Sequence, residues 1–178
     1  LHKLLLVHVL SQSEEIVDWD VYLYGSPSCE HPFFEALAGQ FKIQLRNQIG
    51  ADLGARMRWA FSEILSVYDH AILVGSDLPE LSSTILLAAQ QVLAAGAEVV
   101  FAPAEDGGYG LIGLTQVHGC LFEHMPWGSH TLMDASLQRA SEQGLRVHQI
   151  SQIRDLDTPE DYYYYQEHIA KLEKNYKF

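Results

Sequence analysis

Apolar residues fall in short blocks separated by polar turns, and the spacing inside each block predicts alternating strands and helices. Residues 20–25 (DVYLYG) and 70–75 (HAILVG) are runs of Val, Ile, Leu and Tyr ending at Gly, the pattern of a strand buried in a parallel sheet. Residues 97–102 (AEVVFA) read the same way, and 145–150 (LRVHQI) is a shorter strand of the same kind. Helical spacing fills the intervals. Asp52 opens a helix over 53–66, Ser82 or Ser83 one over 84–95 and Ser129 one over 130–143, with Gly96 and Gly144 stopping the last two. Thr158, Pro159, Glu160 and Asp161 combine an N-cap, a first-turn proline and first-turn acids, so the tail after them is a helix. Residues 1–13 fit either a buried strand or an apolar helix of about three turns, and helix is the reading adopted. Strand and helix in alternation predict an α/β fold, a mostly parallel sheet with helices on both faces. Ligands of such sheets bind at the carboxyl ends of the strands.

With 178 residues and no repeat, low-complexity tract or linker, the chain is expected to form one domain over 1–178. Charge changes the picture more. Eleven Lys plus Arg against 23 Asp plus Glu give a net charge of −12, which opposes a nucleic-acid partner. An anionic substrate such as a nucleotide sugar would need a divalent cation to bridge the like charges. No apolar run approaches the roughly 18 residues of a membrane span, so none is expected. Cys29 and Cys120 carry no CxxC spacing, and free thiols in the cytoplasm are expected.

Three acidic corners carry the candidate chemistry. In AILVGSDLPEL (71–81) an apolar strand delivers Ser76 and Asp77 at its carboxyl end, where Asp77 can offer a hard oxygen ligand to a metal and its bound phosphates. The alternative is that Asp77 and the serines only cap the next helix. In PAEDGGYGLIGL (103–114) Gly107 and Gly108 let a ligand approach the main chain beside Glu105 and Asp106, or else form a plain hairpin turn with solvated acids. In RDLDTPEDY (154–162) Asp155 and Asp157 point to one side of an extended backbone and can share a cation, although capping explains the residues after them.

Together with QIGADLGARM (48–57) and MPWGSHTL (125–132), these segments resemble, in order, a bacterial glycosyltransferase-like family related to the sugar-nucleotide and cofactor nucleotidyltransferases. The resemblance implies a Rossmann-like GT-A nucleotide-diphospho-sugar transferase fold. It implies Asp77 and Asp157 as ligands of Mg²⁺ or Mn²⁺ and Asp106 as general base or sugar contact. Gln48, Asp52 and Arg56 match the family's Q-x-G-x-D-L-G-x-R-M, where Arg56 holds a phosphate or pairs an acid. Ser76, Glu105, Gly107 and Gly108 flank the substrate, and Trp127 stacks on a base or sugar or packs in the core. Members of the family begin with a strand and a basic K-x-P-x-x-G-x-x-K-T-R loop that cradles the phosphates. Here residues 1–13 match the helix after that loop, so a central strand is missing. Either it lies upstream, as a first residue other than Met suggests, or the chain is a form that cannot hold a donor.

Other signals are weaker. The nine histidines show no HxH or HExxH, which disfavours zinc, and no GxSxG elbow points to a hydrolase. Tyr162–Tyr165 covers too many helix faces for one core stripe, and marks either a homo-oligomer contact or packing on the sheet. Three functions follow: metal-dependent transfer of a glycosyl group from a nucleoside-diphosphate sugar to a small-molecule acceptor; nucleotidyl transfer from a nucleoside triphosphate; or a non-catalytic scaffold of the same fold.

Overall fold

The computed structural model describes residues 1–176. Helix α1 (His2–Glu14) leads into β1 (Val21–Gly25), α2 (Pro32–Gln40), β2 (Ile43–Asn47), α3 (Leu53–Ile64), β3 (Ala71–Val74) and α4 (Ser83–Ala94). The chain continues through β4 (Val99–Pro103), β5 (Tyr109–Leu114), α5 (Leu132–Glu142), β6 (Val147–Gln149) and α6 (Pro159–Asn175). No helix among the described residues is long and apolar enough to cross a membrane.

The α/β class stands, and the strand directions are more mixed than expected. β1 pairs in parallel with β2, while a second sheet runs β3-β5-β4-β6. β4 and β6 are parallel, but β5 enters antiparallel to both β3 and β4. The cause is the short link 104–108, which turns the chain straight back as a hairpin where a parallel crossover needs a dozen or more residues. Alternation along the strands then splits the core. Val100, Ala102 and Leu111 face α1 and α4 through Val9, Leu86, Ala89 and Leu93. Val99, Phe101, Ile112 and Leu114 face α3 and α5 through Met57, Phe61, Met133 and Ala140.

Residues 1–13 form the helix adopted above, and its surroundings explain why its pattern is ambiguous. Leu4 to Leu10 are all buried. Val9 meets the sheet and α4, Leu4 and Leu5 meet Tyr165, Ile169 and Leu172 of α6, and Leu6, Val7 and Leu10 meet Leu37 of α2 and Phe41. A helix covered on every side carries no polar stripe to reveal its period. The start of α5 corrects another expectation. Ser129 does not open it: its hydroxyl accepts the Thr131 N–H (3.3 Å), and the helix begins at Leu132. The Met133 N–H donates instead to the carbonyl of Gly107 (2.9 Å), so a distant turn supplies the cap. The α6 start is as read, a capping box in which Thr158 and Asp161 exchange bonds. Of the tyrosine run, Tyr165 is buried and Tyr162, Tyr163 and Tyr164 are exposed.

Among the described residues the two sheets do not join. Every residue from Val21 to Tyr24 and from Ala71 to Gly75 borders a cleft of about 780 Å³ between β1 and β3. A strand shows alternate residues to either face, so a cleft that touches successive residues meets both strands along their backbone edges. Leu6, Val9, Leu10 and Leu86 close it on the α1–α4 side, and Met57, Ala60 and Phe61 on the α3 side.

Candidate functional site

The carboxyl end of β3 builds one wall of the site. Gly75 stays on the sheet through its N–H to the Gly110 carbonyl (3.0 Å), and the Asp77 carboxylate folds back over it. A Cβ at position 75 would stand 2.6 Å from Asp77 Oδ1. Helix α4 is capped by Ser82, whose hydroxyl accepts the Ile85 N–H (3.4 Å), so the capping role considered for Asp77 belongs to Ser82. The main chain of Asp77 instead accepts the Leu156 N–H (3.0 Å), which ties the β3 end to the third acidic corner. Ile153 bridges to Ala104 and donates to Pro103 O (2.9 Å), which ties the third corner to the second.

These ties gather the acids. Burial, followed by the charges of Asp106, Asp157 and Asp77, pushes the Asp155 carboxyl up to about 6. Burial, then Asp77, Asp106 and Asp161, raises Asp157 as well. Carboxylates from three turns far apart in sequence therefore share one rim, with Asp77 and Asp155 also lining the cleft. This arrangement should cost stability. A carboxyl titrating near 6 in the fold against an ordinary 3.8 penalises folding increasingly as pH rises between those values, and fully above them. Asp155→Asn is expected to stabilise the protein at pH 7.5 by about 1 kcal/mol, a value discounted for partial solvation, with the gain fading by about pH 4. Urea unfolding at both pH values checks it; an equal effect at each would show that charge is not the cause.

Arg154 and Asp161 complete the rim. Asp161 Oδ2 accepts the N–H groups of Thr158 (2.8 Å) and Asp157 (3.2 Å) and the Thr158 hydroxyl (2.8 Å). Led by the Thr158 backbone bond, these contacts hold its carboxyl down to about 2. Arg154 places Nε and Nη2 on Asp161 Oδ1 (both 2.8 Å) and Nη1 on Glu105 Oε2 (3.2 Å). Its guanidinium lies 4.5 Å from the centroid of the Tyr164 ring. Sequence reading passed over Arg154 and left Asp155 outside the chosen ligands. The i, i+2 spacing of Asp155 and Asp157 was the available signal for the second; nothing local marks the first.

The remaining candidates divide. Gln48, Arg56, Ser76 and Trp127 line the cleft. Gln48 donates to Tyr24 O (3.1 Å), and Arg56 donates to Gly50 O (3.2 Å) and Gln48 Oε1 (3.5 Å), so Arg56 braces the 48–52 loop and pairs no acid among the described residues. Ser76 Oγ meets His2 Nε2 at 3.0 Å. Trp127 packs on Gly54, where a Cβ would come within 2.7 Å of its Nε1. Asp52 is the α3 N-cap, accepting the Ala55 N–H (2.8 Å), and it does not line the cleft. Gly107 and Gly108 form the β4–β5 hairpin turn, in which Asp106 Oδ1 accepts the Gly108 N–H (2.8 Å).

No three Asp, Glu, His or Cys side chains among the described residues converge closely enough to enclose a metal by themselves. The donor set fits a different kind of site. Mg²⁺ keeps several waters and binds through one or two carboxylates plus substrate phosphates, and a rim of mutually repelling carboxylates at strand ends suits that arrangement.

The fold has clear relatives among solved structures. A protein of Desulfovibrio desulfuricans G20 assigned to the nucleotide-diphospho-sugar transferases superposes with a TM-score of 0.78 at 24% identity, covering 99% of this chain and 76% of the other. CMP:2-keto-3-deoxy-manno-octonic acid synthetase complexed with CTP gives 0.63 at 12% identity, over 94% of this chain and 88% of that one. A cytidylyltransferase of Leptospira borgpetersenii serovar Hardjo-bovis (strain JB197) gives 0.55 at 16%, over 94% and 83%. The architecture is thus the GT-A-like one that the family resemblance implies. No curated protein matches the sequence. The model of a bacterial family described as "Uncharacterized protein conserved in bacteria (DUF2064)" matches residues 9–129, and the chain belongs to that family.

Proposed function

We propose that this chain transfers a glycosyl group from a nucleoside-diphosphate sugar to a small-molecule acceptor, using Mg²⁺ or Mn²⁺, at the strand-end rim of the β1–β3 cleft. The observation that carries the reading is the set of main-chain ties, Leu156 N–H to Asp77 O, Ile153 N–H to Pro103 O and the Ala104–Ile153 bridge, that bring together the three turns bearing Asp77, Asp106, Asp155 and Asp157. Asp77 and Asp157 would hold the cation, which when bound neutralises the charge developing on the diphosphate leaving group. Asp106 accepts the Gly108 N–H on Oδ1 and would use Oδ2 to take a proton from an acceptor hydroxyl. Arg56, at the cleft wall, offers positive charge to a phosphate, and Trp127 offers an aromatic face to a base or sugar.

Nucleotidyl transfer is the second reading, favoured by the fold shared with a synthetase complexed with CTP. The same carboxylates would then serve attack on an α-phosphate. Thermal unfolding with UDP-, GDP- and dTDP-sugars and with CTP, each with and without Mn²⁺, tests both. At about 100 times Kd a ligand adds about 2.7 kcal/mol, so a cation-dependent rise in Tm of roughly 5–10 °C is expected for at least one nucleotide. Release of a nucleoside diphosphate supports glycosyl transfer and release of pyrophosphate supports nucleotidyl transfer. No rise with any nucleotide leaves the scaffold.

A further inference from the structure

Like charges held on separate turns push those turns apart, yet Asp106 sits on the 104–108 hairpin while Asp155 and Asp157 sit on the segment before α6. Arg154 spans the two. One edge of its guanidinium grips Asp161, which is itself fixed by the Thr158 and Asp157 N–H groups, and Nη1 reaches across to Glu105, the neighbour of Asp106. The Tyr164 ring backs the guanidinium, and the Tyr165 hydroxyl donates to the Arg154 carbonyl (3.3 Å). Side chain and main chain are both committed, so this cation is occupied in holding protein groups.

We propose that Arg154 is a positioning residue that holds the Asp106 turn against the Asp155–Asp157 segment and so assembles the rim that takes a divalent cation with its phosphates. The metal clause rests on the function proposed above; the holding of the two turns does not. Geometry and charge pull in opposite directions here. A positive charge beside a cation site weakens cation binding by Coulomb repulsion, so as a bystander Arg154 would oppose the metal. As a positioning group it would favour it. Lys keeps the charge and loses the planar fork that serves two carboxylates at once.

The test compares wild type, Arg154→Gln and Arg154→Lys at a temperature where circular dichroism shows all three folded. Free Mn²⁺ is titrated by electron paramagnetic resonance with MnCl₂ alone and with MnCl₂ plus UDP, and amide exchange is followed at 104–108. Positioning predicts Mn²⁺ binding about 10-fold weaker in Arg154→Gln, a smaller loss in Arg154→Lys, and faster exchange at 104–108 in both. Tighter Mn²⁺ binding in Arg154→Gln with Arg154→Lys unchanged would show a bystander charge and overturn the proposal. Unchanged affinity and exchange with a lowered Tm would show a mere staple for α6 and overturn it as well. If wild type binds no Mn²⁺ under either condition, the metal reading falls and exchange alone decides: faster exchange in both variants supports the holding role, and unchanged exchange overturns it.

Discussion

Asp77→Ala is expected to abolish the Mn²⁺-dependent component of nucleotide binding, weakening it by about 100-fold or more, while leaving the apo protein as stable as wild type or slightly more so. The two halves of this result have separate causes. A carboxylate offered to a hard cation has no substitute in Ala, and even partners one shell removed from a metal cost 10–100-fold when lost. Stability is spared because Ser82 caps α4 and because the Asp77 main chain, which accepts the Leu156 N–H, survives the substitution. Removing one of four mutually repelling acids also relieves Asp155 and Asp157. Ser82→Ala supplies the contrast, losing about 1 kcal/mol with the cap and keeping cation-dependent binding. Isothermal titration with UDP at fixed Mn²⁺, beside urea unfolding of both variants, separates the effects. If Asp77→Ala binds as wild type does, Asp77 is not in the site.

How far the chain could be read from its sequence follows from how local each determinant is. The caps at Asp52, Ser82 and Thr158 act within three residues of themselves, and each opens the helix expected of it. Gly96 and Gly144 adopt the positive φ that ends a helix, again a local matter. Determinants from elsewhere were harder to see. The Gly107 carbonyl replaces Ser129 as the cap of α5, and the direction of β5 is set by the hairpin turn that Gly107-Gly108 left open as one of two readings, against the mostly parallel sheet expected. The site divides in the same way. Asp77, Asp106 and Asp157 can be put forward as candidates from sequence because each stands at a strand or helix junction, where ligands of α/β sheets bind. Arg154 matters through Glu105 and Asp161, partners 49 positions upstream and seven downstream, and no local pattern announces such a bridge. Asp52 shows the converse: it matches a family motif, yet its carboxylate is engaged in capping α3.

Gly107→Ala is expected to cost about 3–5 kcal/mol, the largest loss from any single methyl group added at the rim. Gly107 has φ +89°, a region that L side chains rarely occupy. Its Cβ would also fall inside the van der Waals shell of the His130 carbonyl oxygen and 2.7 Å from the His130 carbonyl carbon. Those are backbone atoms and cannot rotate aside. To escape, the turn must lift from α5, which strands the Met133 N–H that Gly107 O now accepts and carries Asp106 away from Asp155. Stability and cation binding should therefore fall together. Gly128→Ala isolates the conformational share: φ there is +72° and, beyond its own chain neighbours, no atom of the described residues lies within 4 Å of the added methyl, so about 1 kcal/mol is expected. Urea unfolding of the two variants decides. Equal losses would mean that the hairpin is not seated on α5, and the second acidic corner would then lack one of the contacts that fix it in place.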